Sequence, residues 1–439
     1  MPTHGPSVQG RRPGSGSVPK QRRMQRSGMA VADATFVIVG AGQAGAWVAR
    51  TLRADGFAGR IVLIGREPHP PYERPPLSKA VLQGKATADS ATLLAPAQAA
   101  ELGIECCLGI EATAIDRAAS TLRLSDGGAL AYGTLFLTTG GRVRTLPALE
   151  GVAHPRLHTL RTLDDAARLR TAFAESRRLL VLGGGWIGLE VAATARGLGL
   201  DVTVLEAAPR VCGRALPPVA SDFLRALHER HGAEVVTGCP VARLDLRGDG
   251  VTAEAADGRR FAADHALVGI GILPDTALAE AAGLAVDNGI LVDAAGRTSD
   301  PAIFAAGDAT RHPSAFAGGL LRLESWANAQ NQAIVAAKAA LGQPVAYDEP
   351  PWFWSDQYNV NLQILGLPDL GARAVARGTP EAGSGAWLVL REDGRAAGVI
   401  AVNASRDLRA VRKMIAEGRT PDLTAWSDAT LPANRITAA

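Results

Sequence analysis

The sequence predicts an α/β chain with two parallel-sheet, dinucleotide-binding modules and a small α+β domain after them. Three observations predict it. Apolar runs open twice into G-x-G-x-x-G, at "FVIVGAGQAG" (36–45) and "VLGGGWIGLE" (181–190). Each run is followed by a helical stretch and a second apolar run, the alternation of a βαβ unit. From about 346 the pattern turns to aromatic residues and alternating apolar runs around tight turns.

In order along the chain, a strand is expected at 36–39, a glycine turn, a helix at 43–54 and a strand at 61–64. "STLRLSDGGALAY" reads as a hairpin around Asp-Gly-Gly, and "TLFLTTGG" (134–141) as a buried closing strand. The order repeats after 179: "LLVLG", a glycine turn, a helix at 187–197, "VTVLE", then the hairpin region "VTAEAADGRRFAADHALVGIG" (251–271). The chain therefore carries a duplicated module. At the end, "AWLVLREDGRAAGVIAVN" is two runs around Asp-Gly, and "SRDLRAVRKMIAEG" has helical spacing with a glycine stop.

Composition narrows the function. Of 439 residues, 47% are hydrophobic and 20% charged, the profile of a globular chain with several cores. The formal charge of +3 is misleading, because residues 1–30 hold Arg11, Arg12, Lys20, Arg22, Arg23 and Arg26 and no acid. Without these six of the 46 bases the body, with 43 acids, sits near −3, which excludes a nucleic-acid binder by charge. Residues 1–32 read as a disordered basic tail without the apolar stretch of a secretory signal. A transit peptide and a translation start at Met24 or Met29 both remain open. No run of about 20 apolar residues predicts a membrane span. Cys106, Cys107, Cys212 and Cys239 form no C-x-x-C and the eight histidines no metal-spaced cluster, so neither a redox disulfide nor a metal site is expected and a reducing cytoplasm fits.

In G-x-G-x-x-G the glycines serve the tight turn, the approach of the pyrophosphate and helix–strand packing, and the helix N-terminus faces the phosphates. A carboxylate ending the next strand takes the ribose hydroxyls. Glu67 stands 22 residues past Gly45 and Glu206 stands 18 past Gly188, so both modules pass the test. A carboxylate at Glu206 repels a 2′-phosphate and favours NADH over NADPH, with Arg210 nearby as the softening feature. Two nucleotide sites in a duplicated chain point to a flavoprotein that takes hydride from a nicotinamide.

With "RPPLSK" (74–79), "TTGGR" (138–142), "GIGILPD" (269–275), "SDPAIFAAGDA" (299–309), "LESWANAQNQ" (323–332) and "PWFWSDQY" (351–358), the chain resembles the FAD-dependent pyridine nucleotide oxidoreductases over roughly 33 to 425. Within them it is most similar to the ferredoxin and rubredoxin reductases serving bacterial ring-hydroxylating dioxygenases and cytochromes P450. The resemblance implies two Rossmann-like domains arranged as in glutathione reductase. The FAD domain takes 33–147 and 269–345, the NAD domain 148–268 and an α+β domain 346–439. It places FAD on Gly40, Gly42, Gly45, Glu67, Arg74, Lys79, Arg142, Asp308 and Trp326, and NADH on Gly183, Gly185, Gly188 and Glu206. Glu190 lies on an otherwise apolar helix face and needs a partner; the resemblance supplies Lys79, a pair positioning the nicotinamide beside the flavin. Trp186, larger than the pattern expects, crowds the nicotinamide side. Electrons leave singly to an iron–sulfur ferredoxin, with Trp352 and Trp354 read either as the exit or as domain-interface core. A monomer or homodimer is expected. A rubredoxin reductase and a monodehydroascorbate-type reductase share the architecture. An apoptosis-inducing-factor-like interaction module is opposed by the acidic body.

Overall fold

The computed structural model describes Met1, residues 34–149 and residues 151–438. The tail expected at 1–32 lies, apart from Met1, outside the described residues.

Two five-stranded parallel sheets stand where the two apolar–glycine runs predict them. The first has the order Ile303–Ala305, Thr134–Leu137, Thr35–Val39, Arg60–Gly65, Ile104–Leu108. The second has the order Glu234–Val236, Asp201–Leu205, Arg178–Leu182, His265–Val268, Leu157–His158. Such strands are covered on both faces and so read as continuous apolar runs. Along Thr35–Val39, Phe36 and Ile38 enter one core, and Val37 and Val39 the other. Each module also carries a three-stranded antiparallel sheet, 112–131 in the first and 241–263 in the second. The strand Ile303–Ala305 returns the chain to the first sheet after the whole second module, so the first is assembled from two separate stretches.

The last region is a five-stranded antiparallel sheet in the order Trp352–Gln357, Val360–Gly366, Ala396–Val402, Ser384–Leu390, Arg373–Thr379. Helix Ser405–Ala416 lays Leu408, Val411, Met414 and Ile415 on one face. The opposite face, with Val360, Leu362, Ile364, Trp387 and Ile400, joins the core of the second module. This packing brings strand Trp352–Gln357 against the helix of the second fingerprint. The functional site depends on that contact.

Candidate functional site: a cleft between two glycine cradles

The two fingerprints are alike in atomic detail. Gly40 and Gly183 both have φ of 110°, a conformation open to glycine, and each N–H donates to the neighbouring strand, to Ile64 O and Leu205 O at 2.8 Å. A Cβ on Gly45 would lie 2.0 Å from Gly40 O, and one on Gly188 2.0 Å from Gly183 O, so helix and turn pack only without side chains there. Gly42 and Gly185 are different. A Cβ at Gly42 would meet nothing within 4 Å, and one at Gly185 only Gly269 O at 3.9 Å. Neither has positive φ; each is the N-cap of its helix, with no side-chain cap and no acid in the first turn. The uncapped N–H groups and the positive dipole end thus face open space, an arrangement suited to an anionic group.

That space is one cleft of about 1500 Å³, lined by both fingerprints and by Glu67, Arg74, Lys79, Arg142, Glu190, Glu206, Asp308, Trp326 and Trp354. It exceeds the roughly 300–1,000 Å³ of an ordinary small-ligand site. Every side chain expected at the site therefore borders a single cavity.

The carboxylates are held in different ways. Glu206 accepts backbone N–H bonds from Gly184 at 2.6 Å and Ala208 at 2.7 Å, which lock it against the second glycine turn. Glu67 accepts from Arg74 Nη2 at 2.8 Å and from the Tyr72 hydroxyl. Arg74 also donates to the Arg161 carbonyl. Burial pulls the Arg74 guanidinium down, but Tyr72 and Glu67 outweigh it and the net direction is up. Arg74 and Lys79 leave the same "RPPLSK" stretch for opposite ends: Arg74 goes to Glu67, and Lys79 goes to Glu190. Arg142, on strand Gly141–Val143 beside Leu273, is exposed at the cleft. Trp326 follows the Ser325 N-cap of helix Trp326–Ala340 and donates to Glu73 at 3.1 Å.

Asp308 is fixed by a residue that sequence reasoning missed. Arg161 Nη2 donates to Asp308 at 3.1 Å, while its Nε is buried without a partner. Burial first, then the neighbouring Arg74 charge, lower its pKa. The only local signal is the capping box after it: Thr162 caps helix Leu163–Glu175, and Asp165 accepts the N–H of Arg161 at 2.9 Å. The loop carrying Asp308 is tied by buried Gln332, which accepts from Gly307 N and Thr310 Oγ1 at 2.8 Å each.

At the centre, Lys79 Nζ lies 2.6 Å from Glu190 Oε2. Glu190 is 3% exposed, on a helix buried from Gly188 to Ala195. Ser78 donates to the same oxygen and Ser355 to the other, at 2.7 Å. Nearby, Trp186 packs on Phe353 with centroids 4.8 Å apart. Three indoles step outward: Trp326 meets Trp354 edge-on at 5.7 Å, and Trp354 stacks on Trp352 at 5.2 Å. Trp352 then borders a shallow surface hollow with Arg409 and Arg412. All four cysteines are free, and no group of three or more metal-binding side chains occurs among the described residues.

Residues 34–333 match the family model for pyridine nucleotide-disulphide oxidoreductases. The chain belongs to that family. Residues 352–436 match a second model, the reductase C-terminal domain. Over 399 residues the chain is 45% identical to the ferredoxin–NAD(+) reductase component of an anthranilate 1,2-dioxygenase system from Burkholderia cepacia, covering 90% of this chain and 97% of the relative. It is 40% identical to putidaredoxin reductase from Pseudomonas putida over 413 residues, covering 93% and 98%. The crystal structure of a covalent putidaredoxin reductase–putidaredoxin complex matches with a TM-score of 0.87 at 40% identity, covering 91% of this chain and 97% of that one. Members of this family are two-nucleotide oxidoreductases, and the duplicated α/β architecture with its antiparallel C-terminal domain is theirs.

Proposed function

We propose that this chain is an FAD-dependent NADH:ferredoxin reductase whose electrons feed an oxygenase through a [2Fe-2S] ferredoxin. The observation that carries the reading is the meeting of both glycine cradles and the Lys79–Glu190 pair in one cleft. The cleft fits two dinucleotides: each cradle has one glycine that the protein's own packing does not demand, and Arg161 Nε is a buried donor still unpartnered. Bound FAD supplies a carrier that takes hydride from NADH and releases electrons singly.

The protein's part is geometry and charge. Gly40, Gly42, Gly45 and the uncapped helix above them would hold the FAD pyrophosphate, with Glu67, Arg74, Arg142, Asp308 and Trp326 along its length. Gly183, Gly185, Gly188 and Glu206 would hold NADH. Lys79, fixed by Glu190, presents a positive charge where electron density arrives during reduction. The domain division 33–147 with 269–345, 148–268 and 346–439 follows the same assignment. The free cysteines fit a reducing cytoplasm, and among the described residues no helix is long and apolar enough to cross a membrane. A monomer or homodimer suffices, since every element of the site comes from one chain.

The indole series from Trp326 to Trp352 is the exit we assign, and the arginines beside Trp352 suit an acidic iron–sulfur partner. The test is a reconstitution. The yellow protein is expected to reduce ferricyanide with NADH alone and cytochrome c only when a [2Fe-2S] ferredoxin is added. Cytochrome c reduction without ferredoxin, or with rubredoxin alone, overturns the partner. In Trp354→Ala, normal ferricyanide turnover with ferredoxin reduction slowed about tenfold supports the exit; equal loss with both acceptors removes it.

A further inference from the structure

The Glu190 carboxylate has two sides. Oε2 takes Lys79 and Ser78, while Oε1 takes the Ser355 hydroxyl at 2.7 Å. From Ser355 a single row of hydrogen bonds runs away from the cleft. Gln357 Nε2 meets Ser355 Oγ at 3.0 Å, His228 Nε2 meets Gln357 Oε1 at 2.8 Å, and Tyr358 OH meets His228 Nδ1 at 3.1 Å. Ser355, Gln357 and His228 are 1%, 2% and 0% exposed, so no bulk water completes these bonds. The row ends at half-buried Tyr358, stacked on exposed His231 at 3.7 Å.

The direction of every proton in the row follows from its inner end. A carboxylate only accepts, so Ser355 donates to Glu190 and its oxygen accepts from the Gln357 amide. The Gln357 carbonyl then needs a donor, which places the His228 proton on Nε2. His228 Nδ1 is left bare and accepts from Tyr358. Burial, aided by His231 and opposed by the Gln357 bond, pulls His228 down to about 4. The neutral imidazole supplies the one donor and one acceptor required. All four hydrogens therefore point toward Glu190. From Glu190 on helix Trp186–Gly197 the row passes through strand Trp352–Gln357, with Ser355 and Gln357, to His228 on helix Pro218–Arg230 and Tyr358 in the turn after the strand, and none of its four residues lines the cleft.

We propose that Ser355, Gln357, His228 and Tyr358 are positioning residues for flavin reduction, a one-way hydrogen-bond row that holds the Glu190 carboxylate in the orientation that meets Lys79. This rests on the reading that the Lys79–Glu190 pair serves hydride transfer. Charge-assisted bonds are the stronger kind, and a chain aligned in one direction polarises its members cooperatively.

The experiment mixes holoenzyme rapidly with NADH and follows bleaching of the flavin band. Ser355→Ala is expected to slow that phase about tenfold, the effect of one hydrogen bond to a charged group. Ser355→Thr, which keeps the hydroxyl, recovers most of the loss. Tyr358→Phe, which removes only the outermost donor and keeps the stacked ring, slows it about twofold. In a Glu190→Gln background, Ser355→Ala has no further effect, whereas a merely structural serine would slow both backgrounds alike. A wild-type rate in Ser355→Ala beside a slow Glu190→Gln overturns the row and leaves the pair's role standing. A wild-type rate in Glu190→Gln overturns the pair's role, and the row falls with it. Losses that multiply in the double variant also overturn the row. Should Ser355→Ala purify without flavin, Tyr358→Phe decides by the same criteria.

Discussion

Glu190 has a buried negative charge whose neighbours are otherwise Gly188, Leu189, Val191 and Ala192 on its own helix. Such a charge survives only with a partner, and removing the partner from a buried pair costs about 3–5 kcal/mol. Lys79→Met is therefore expected to lower thermal stability by several degrees and slow flavin reduction by NADH at least tenfold. Lys79→Arg should restore the stability better than the rate, because a planar guanidinium does not reproduce a point charge. Equal rates in wild type and Lys79→Met would end the pair's catalytic assignment. Glu206 makes a second residue-scale case. Its two backbone bonds hold the carboxylate in place at the cleft, so Glu206→Gln is expected to lower the KM for NADPH relative to that for NADH by about tenfold. An unchanged ratio in steady-state assays would move cofactor choice to another residue.

The repeated turn-and-helix unit separates glycines that the fold needs from glycines that a ligand needs. Gly45→Ala and Gly188→Ala each put a methyl group 2.0 Å from a backbone oxygen and are expected to abolish folding of their module. Gly42→Ala, with open space around the new methyl and an ordinary φ, should fold with a normal circular dichroism spectrum yet purify with most of its flavin lost. Gly185→Ala should keep its flavin and weaken NADH binding. A Gly42→Ala protein with full flavin content would contradict the cradle. The same unit explains what was legible in the sequence. Strand, glycine turn, helix and carboxylate are all set within about thirty residues, so periodicity and spacing reveal them. The Lys79–Glu190 contact joins segments far apart in sequence and was legible only through resemblance. The parting of Arg74 from Lys79 and Ser355 on an aromatic strand left no local mark, and Arg161 left only the capping box after it, because each gains its role from packing between elements.

At the scale of the molecule, four buried imidazoles among the described residues, His158, His228, His265 and His312, make stability depend on pH. His158, His228 and His312 are each lowered from 6.5 to about 4, and His265 is lowered too, all by burial first; His265 and Arg168 add to it at His158. Folded, each stays neutral where the unfolded chain takes up a proton. Their contribution is complete above pH 6.5 and is lost as pH falls toward 4. The denaturation midpoint should hold from pH 8 to 7 and drop steadily between 6 and 4.5; a flat profile over that lower window would contradict it. The three domains also share one site, and this sets an order of events during synthesis. Both fingerprints and Glu190 emerge from the ribosome well before Ser355, which lies 165 residues after Glu190. Domains fold as they appear. A nascent chain can thus complete its second glycine turn first, while the sheet of the first waits for Ile303–Ala305, and it gains the serine assigned to orienting Glu190 later still, so catalytic competence is among the last properties the growing polypeptide acquires.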